Sequence, residues 1–305
     1  RGYLVDLERD ATPMNQRIGQ RIESVGLNLL ALILIIFIIG PLVWVAVASI
    51  QGENELLLHP PRIIPHNPTL DNYNYVFTGK IPTAYEVKGQ LRSRISQEAR
   101  LIPAALKNSF IVATSVMVIN LAIGPIAAYT FAWQRFRGKT ILLNFILGSR
   151  LLPVMAVAIP YYVIIQTLGL LDTHVSLILI YLALTLPFSI WFLSSYFAGI
   201  PKDFEDAAHI DGCNTFQALT QVVIPIALPG LVAAAAFAFM TSYNEFLFAR
   251  FLTQSIDSQT GPVIISSIAG NPDASYSLIS VAITLGLIPP LILAIGLRRW
   301  LTEGL

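Results

Sequence analysis

Six apolar stretches, separated by polar segments of very unequal length, set the pattern of this chain. Gly26–Ser49 is 24 uncharged residues, about 36 Å as a helix and enough to cross about 30 Å of hydrocarbon with some tilt. The others run over about Asn108–Trp133, Ile141–Ile165, Leu177–Phe197, Ile226–Phe248 and Tyr276–Leu297. Interior prolines at Pro41, Pro125, Pro153, Pro160, Pro187, Pro289 and Pro290 would break soluble helices, but bundled membrane helices use them as kinks. Ala233–Ala236 with Ala238 lets another helix approach the fifth stretch closely. The pattern predicts an all-α membrane protein with six transmembrane helices. Residues 1–25 form an N-terminal segment, 26–297 a six-span domain and 298–305 a tail. One long loop covers about 50–107, and a second polar loop about 198–225.

Charge orients the spans. Arg1, Arg9, Arg17 and Arg21 precede the first; Arg135, Arg137 and Lys139 fill the short second connection; Arg298 and Arg299 follow the last. The connection around Leu168–Ser176 has no lysine or arginine. Short loops decide topology, so both termini are expected inside, at the cytoplasmic face. The seven lysines and arginines of Ile50–Lys107 do not oppose this, because segments that long translocate largely regardless of charge. Pro201–Ile224 then faces the cytoplasm.

Composition agrees: 55% of the residues are hydrophobic and only 12% charged, which is not a soluble domain's balance. A net charge of +1 leaves no nucleic-acid footprint. The single Cys213 excludes an internal disulfide, a cysteine zinc site and a redox pair. Residues 1–25 hold four arginines and four acids, with no apolar core resembling a cleaved signal.

The second polar loop is the most informative. Pro201 suits a first helical turn, Asp203, Glu205 and Asp206 place negative charge at the positive end of the helix dipole, and Gly212 suits a left-handed terminator. The expected product is a short helix with an acidic start and a small, smooth surface, too short to stand alone in water. Docking into a groove of a partner protein would account for it.

Here the residues resemble a known family. Asp206-Ala-Ala208, three residues, Gly212, nine residues and Val222-x-Ile-Pro225 are similar to the EAA signature of ABC importer permeases, Glu-Ala-Ala-x-x-x-Gly, nine residues, Ile-x-Leu-Pro. Asp206, Val222 and Ile224 depart from it conservatively. The resemblance implies a type I importer bundle whose coupling helix seats in a cleft of a cytoplasmic ATPase dimer, through Glu205, Asp206, Ala207, Ala208, Asp211 and Gly212. It also implies a second, different permease subunit and an extracytoplasmic binding protein. ATP and Mg would be bound by the ATPase, leaving this chain without a cofactor and without enzymatic activity of its own.

Further runs narrow the resemblance to MalG-like carbohydrate permeases. These are Pro65-His-Asn-Pro-Thr-Leu-Asp-Asn-Tyr73, Arg150-Leu-Leu-Pro153, Ile159-Pro-Tyr161, Leu168-Gly-Leu-Leu-Asp-Thr173, Leu186-Pro-Phe188 with Ile190-Trp191, and Tyr243-Asn-Glu-Phe246. Tyr243 stands where that family usually has tryptophan. The basic segment from Gly79 to Arg100 looks like an insertion, either a solvated helix or a contact for the binding protein.

Arg150 and Glu245 are the only formal charges inside the expected spans, where charge is costly unless paired or hydrated. Each has two readings: a lining of the sugar path, or a structural anchor near a proline break or a subunit contact. Asn244 shares both readings. Tyr161, Tyr162, Trp191 and Tyr243 are candidates for stacking on sugar rings, against the alternative of packing or interface anchoring. His59 and His66 lack a further ligand at metal spacing, so no metal site is expected. Gly138-Lys-Thr140 resembles the end of a phosphate loop, but position 133, where the first glycine belongs, is Trp133. No hydrolase motif is present. Two other readings stay open: an importer permease for a polyamine, phosphate or glycerol-phosphate solute, and a secondary transporter. The second needs intramembrane acids that the spans almost lack.

Overall fold

The computed structural model describes the backbone of residues 14–58, 60, 62–80, 97–271 and 274–303, with side-chain surroundings from 24 to 300 within those ranges. Every regular element among them is helical. The long helices are α1 (Met14–Ser49), α3 (Ile102–Trp133), α6 (His174–Ala198) and α11 (Tyr276–Glu303). Between them lie α2 (Asp71–Thr78), α4 (Lys139–Gly148), α5 (Val154–Thr167), α7 (Asp203–Ile210), α8 (Leu228–Tyr243), α9 (Leu247–Leu252) and α10 (Gly261–Ala269). The basic insertion and His59 fall largely or wholly outside the described residues.

Four of these helices are long and apolar enough to cross a membrane, and two bent pairs pass the same test together. The stretch expected as one span over Ile141–Ile165 is instead α4 and α5 meeting at 96°. The cause is local. Leu152 precedes Pro153 and is forced out of the helical region, to φ −64° and ψ 128°. The second bend, 84°, separates the segment Thr215–Ile226 from α8. A π-helical turn over Leu219–Val223 leads into Pro225, which has no N–H to continue the ladder, and Ala227 leaves the helical region. Pro41, Pro125, Pro160, Pro187, Pro289 and Pro290 sit inside helices, so only Pro153 of the seven marks a full break.

At the centre is α3, packed most extensively on α6 and α8; α8 also lies against α6 and α11. Small residues make this possible. Ala234, Ala235, Ala236 and Ala238 are all buried in α8. At Gly230 a Cβ would stand 2.8 Å from the Tyr196 ring, so α8 and α6 touch there only because the residue is glycine. By contrast α1 packs on α11 along one side and leaves Leu29, Ile33, Ile36 and Phe37 uncovered, the surface expected of a helix facing lipid or another membrane chain.

Polar clasps close the loop end of the bundle. The buried Glu53 carboxylate accepts from Ser275 Oγ (2.6 Å), Ser277 N (3.0 Å), Ser277 Oγ (2.7 Å) and Tyr276 N (3.1 Å), capping the start of α11. Asn72 Nδ2 donates to the carbonyls of Ser49 (3.0 Å) and Gln51 (2.8 Å), tying α2 to the end of α1.

Candidate functional site

Two regions concern function: the short helix α7 and a cavity where two broken helices meet. α7 ends in a Schellman closure, with Cys213 N donating to Ala208 O (2.9 Å) and Gly212 N to His209 O (3.1 Å). That closure needs a left-handed residue, and Gly212 has φ +89°. Nothing stands within 4 Å of a Cβ built there, so within this chain the glycine serves backbone conformation and no close approach. Immediately after it, Asn214 and Gln217 form a reciprocal capping box for the next turn.

The two faces of α7 differ from the expected smooth acidic surface. Glu205 and Ala208 point inward, 4% and 5% exposed. The Tyr129 hydroxyl on α3 donates to Glu205 Oε1. His209 Nδ1 lies 2.9 Å from Cys213 O, and its Nε2 is 3.8 Å from Glu205 Oε1, an ion pair when the ring is protonated. Outward, Phe204 (48% exposed), Ala207 and Ile210 (87%) follow one another at three-residue spacing and form an apolar stripe. Asp203, Asp206, Asp211 and Gly212 are exposed beside it. Phe216, 63% exposed, extends the apolar surface past the helix. Burying Glu205 and Ala208 anchors the helix; the stripe is what remains to be covered.

Of the seven residues named for a substrate path, Arg150, Glu245 and Tyr161 line one cavity of about 300 Å³. Ser149 and Thr241 share it. Arg150 sits in the α4–α5 break with its guanidinium over the rings of Phe188 (5.4 Å) and Phe237 (5.3 Å). Glu245 follows α8, and its oxygens accept from the backbone N–H groups of Phe248 (3.0 Å) and Ala249 (3.2 Å) at the start of α9. The other four lie outside its lining, Tyr162 packing half-buried against the core that holds Ala158, Tyr181 and Phe248. Tyr243 is buried, stacked on Phe239 at 5.6 Å, its hydroxyl donating to Gly286 O (3.2 Å). Asn244 Nδ2 turns back to Met240 O (3.0 Å). Trp191 packs by Phe188 at 5.9 Å without reaching the cavity lining.

Two residues with structural consequences escaped the sequence reading. Asp172, at φ 59°, accepts from Gln254 N (2.7 Å), Ser255 N (2.9 Å) and Ser258 Oγ, so the Gly-Leu-Leu-Asp-Thr run clasps the loop after α9. Partial burial pushes this carboxyl up, but the Ser258, Gln254 and Ser255 hydrogen bonds outweigh it and hold it well below the usual carboxylate range. Thr173, next to it, caps α6 through Ser176 N (3.3 Å). Tyr129 carried no local signal: an aromatic within an apolar helix reads as packing until its partner is placed. As for Lys139, its Nζ donates to Ala132 O (3.0 Å), closing the end of α3. Among the described residues no three His, Cys, Asp or Glu side chains are grouped to hold a metal.

The arrangement, four helices of membrane length with two further apolar segments sharply broken, recurs in solved chains of ABC importers. A chain of a bacterial ABC transporter involved in the import of the acidic polysaccharide alginate superposes with a TM-score of 0.73 at 19% identity, covering 95% of this chain and 99% of that one. The MetNI methionine transporter in an inward-facing form gives 0.52 at 18% identity, covering 68% and 95%. Residues 120–305 match the family described as binding-protein-dependent transport system inner membrane component. The trehalose/maltose transport system permease protein MalG of Thermococcus litoralis is 30% identical over 276 residues, 90% of this chain and 92% of that protein. The trehalose permease protein SugB of Mycobacterium tuberculosis is 31% identical, covering 87% and 89%. The chain belongs to the binding-protein-dependent inner-membrane permease family. Within it, the resemblance is to MalG-like carbohydrate permeases.

Proposed function

We propose that this chain is one of two permease subunits of an ATP-driven sugar importer, and that α7 transmits the closure of a cytoplasmic ATPase dimer to the bundle. The observation that carries this is the two-sidedness of α7. Its inner face is tied to α3 through Tyr129 and Glu205, while its outer face presents Phe204, Ala207 and Ile210 unsupported. A helix gripped on one side and apolar on the other can pass a displacement from a partner groove into α3, the helix around which α6 and α8 pack. Asp206, Asp211 and Gly212 flank the stripe and would meet basic or amide groups at the rim of that groove. ATP and Mg belong to the partner, and this chain supplies no catalytic group.

In this reading both termini are cytoplasmic, ATP binding closes the ATPase, and the bundle swings from inward- to outward-facing against a loaded external binding protein. Hydrolysis returns it, and the sugar enters the cell. Relatives named as trehalose and maltose permeases support a di- or oligosaccharide over a polyamine or glycerol phosphate. The test is purification of the chain from its membrane in mild detergent. An ATPase subunit and a second permease in the same complex, with ATP hydrolysis stimulated by a sugar-loaded binding protein, is the expected result. Recovery of a lone chain that transports without ATP would replace this reading with a secondary transporter.

A further inference from the structure

We infer that one ordered water molecule is bound between α3 and α6, in the space left by Gly124, where it bridges the Asn120 side-chain carbonyl and the Ser189 hydroxyl. These two helices form the most extensive contact of the bundle, and part of that contact is polar. Asn120, Thr185 and Ser189 are buried in it, none more than 1% exposed. Asn120 Nδ2 donates to Thr185 Oγ1 (3.0 Å), and the single Thr185 O–H is spent on Tyr181 O (2.7 Å). Asn120 Oδ1 and Ser189 Oγ, both sealed from solvent, are then left with no hydrogen-bond partner among the described residues. Turning the Asn120 amide over exchanges which of its atoms is left and does not reduce the number. A buried polar group without a partner is costly anywhere, and most of all at membrane depth, where bulk water cannot reach it.

The space has the size and the lining that water needs. A Cβ built on Gly124 would stand 3.6 Å from Asn120 Oδ1, 3.7 Å from Leu193 Cδ1 and 3.9 Å from Ser189 Cβ, with no other side chain closer. The glycine therefore leaves room for a group the size of a methyl or a water, bordered by the two unpartnered side chains. Small internal spaces that stay dry have apolar walls; a polar one holds water, given about two to four partners. Here the water donates to Asn120 Oδ1 and accepts from the Ser189 O–H, two roles that a group of one polarity could not fill together. Pro125, inside α3, has no N–H for the Leu121 carbonyl, which opens a further acceptor in the same turn. With the water in place α3 is hydrogen-bonded on two sides, to α7 through Tyr129 and to α6 through Asn120.

The test uses the purified complete complex. A structure at a resolution that shows ordered water should carry one peak at hydrogen-bond distance, about 2.7–3.2 Å, from both Asn120 Oδ1 and Ser189 Oγ. A dry site there would overturn the inference. Melting temperatures in one detergent supply an independent sign. Ser189→Ala takes a partner from the water and should lower the midpoint by about 2–4 °C. Were the hydroxyl dry and unpaired, its removal would relieve a penalty and raise the midpoint; were it bonded within its own helix, the midpoint would hardly move. Either result would overturn the bridge. Gly124→Ala fills the space at van der Waals distance and brings a better helix former, so in a dry site it should stabilise. With water there it expels the bridge and strands Asn120, and the midpoint should fall. A rise in Gly124→Ala would overturn the inference. None of these outcomes bears on the importer reading, which is decided by ATP-dependent uptake.

Discussion

The Tyr129 hydroxyl donates to the Glu205 carboxylate, joining α3 to α7 across 76 positions of sequence in a site sealed from solvent. Removing one partner of a buried charged hydrogen bond strands the other, a cost of about 1.5–3 kcal/mol. Tyr129→Phe is therefore expected to loosen α7 without unfolding the bundle. Hydrogen exchange of the α7 amides should quicken by an order of magnitude or more, while exchange in α3 stays slow. Unchanged α7 exchange would show that the apolar contacts hold the helix alone.

Gly212 makes a cleaner case because space is not at issue there. Its φ of +89° penalises any residue with a Cβ by about 1 kcal/mol, and least of all asparagine. Gly212→Asn should retain more uptake than Gly212→Val, although asparagine and valine are both larger than glycine. Gly212→Asp adds charge to the exposed end of the stripe and should abolish transport with assembly partly kept. Full uptake by Gly212→Asp would remove α7 from the transport cycle.

Asp172 gives a pH-dependent prediction. Its folded carboxyl titrates below its unfolded value of about 3.9, so its stabilising contribution is fully present above that value and is lost as pH falls through the folded one. Thermal unfolding of the purified complex should show Asp172→Asn less stable than wild type at pH 7. The gap should narrow below pH about 4. A gap that stays constant down to pH 3 would mean the loop clasp does not depend on the carboxylate charge.

Glu53 caps α11 with a carboxylate that accepts four hydrogen bonds from Ser275, Tyr276 and Ser277. Glu53→Ala leaves those donors buried and unpaired and should destabilise by about 2–4 kcal/mol. Glu53→Gln keeps the shape but turns one acceptor into a donor and should cost roughly half as much. Melting temperatures of the two variants against wild type in one detergent check the order.

What the chain alone determined follows from local rules. Hydrophobic runs long enough to cross a bilayer, the helix at 203–210 and its glycine stop, and the family resemblance all depend on neighbours within a turn or on fixed spacing. They were legible for that reason. The breaks were only half legible. Seven interior prolines look alike in sequence, and packing decided that six would be carried inside a helix and Pro153 would end one, since a proline's cost depends on whether surrounding groups can satisfy the freed carbonyl.

The faces were decided by the tertiary structure. Glu205 and Asp206 are adjacent acids with equal claims to solvent. Only the arrival of Tyr129 from α3 turned Glu205 inward and left Phe204, Ala207 and Ile210 as the outer stripe. In the same way Arg150 and Glu245, 95 positions apart, became neighbours of one cavity while Tyr243, next to Glu245, went to the core. A helix rotates each successive side chain by about 100°, so adjacent residues part company and distant ones meet. Which of them meet depends on how α3, α6 and α8 pack, and that is a property of the folded bundle.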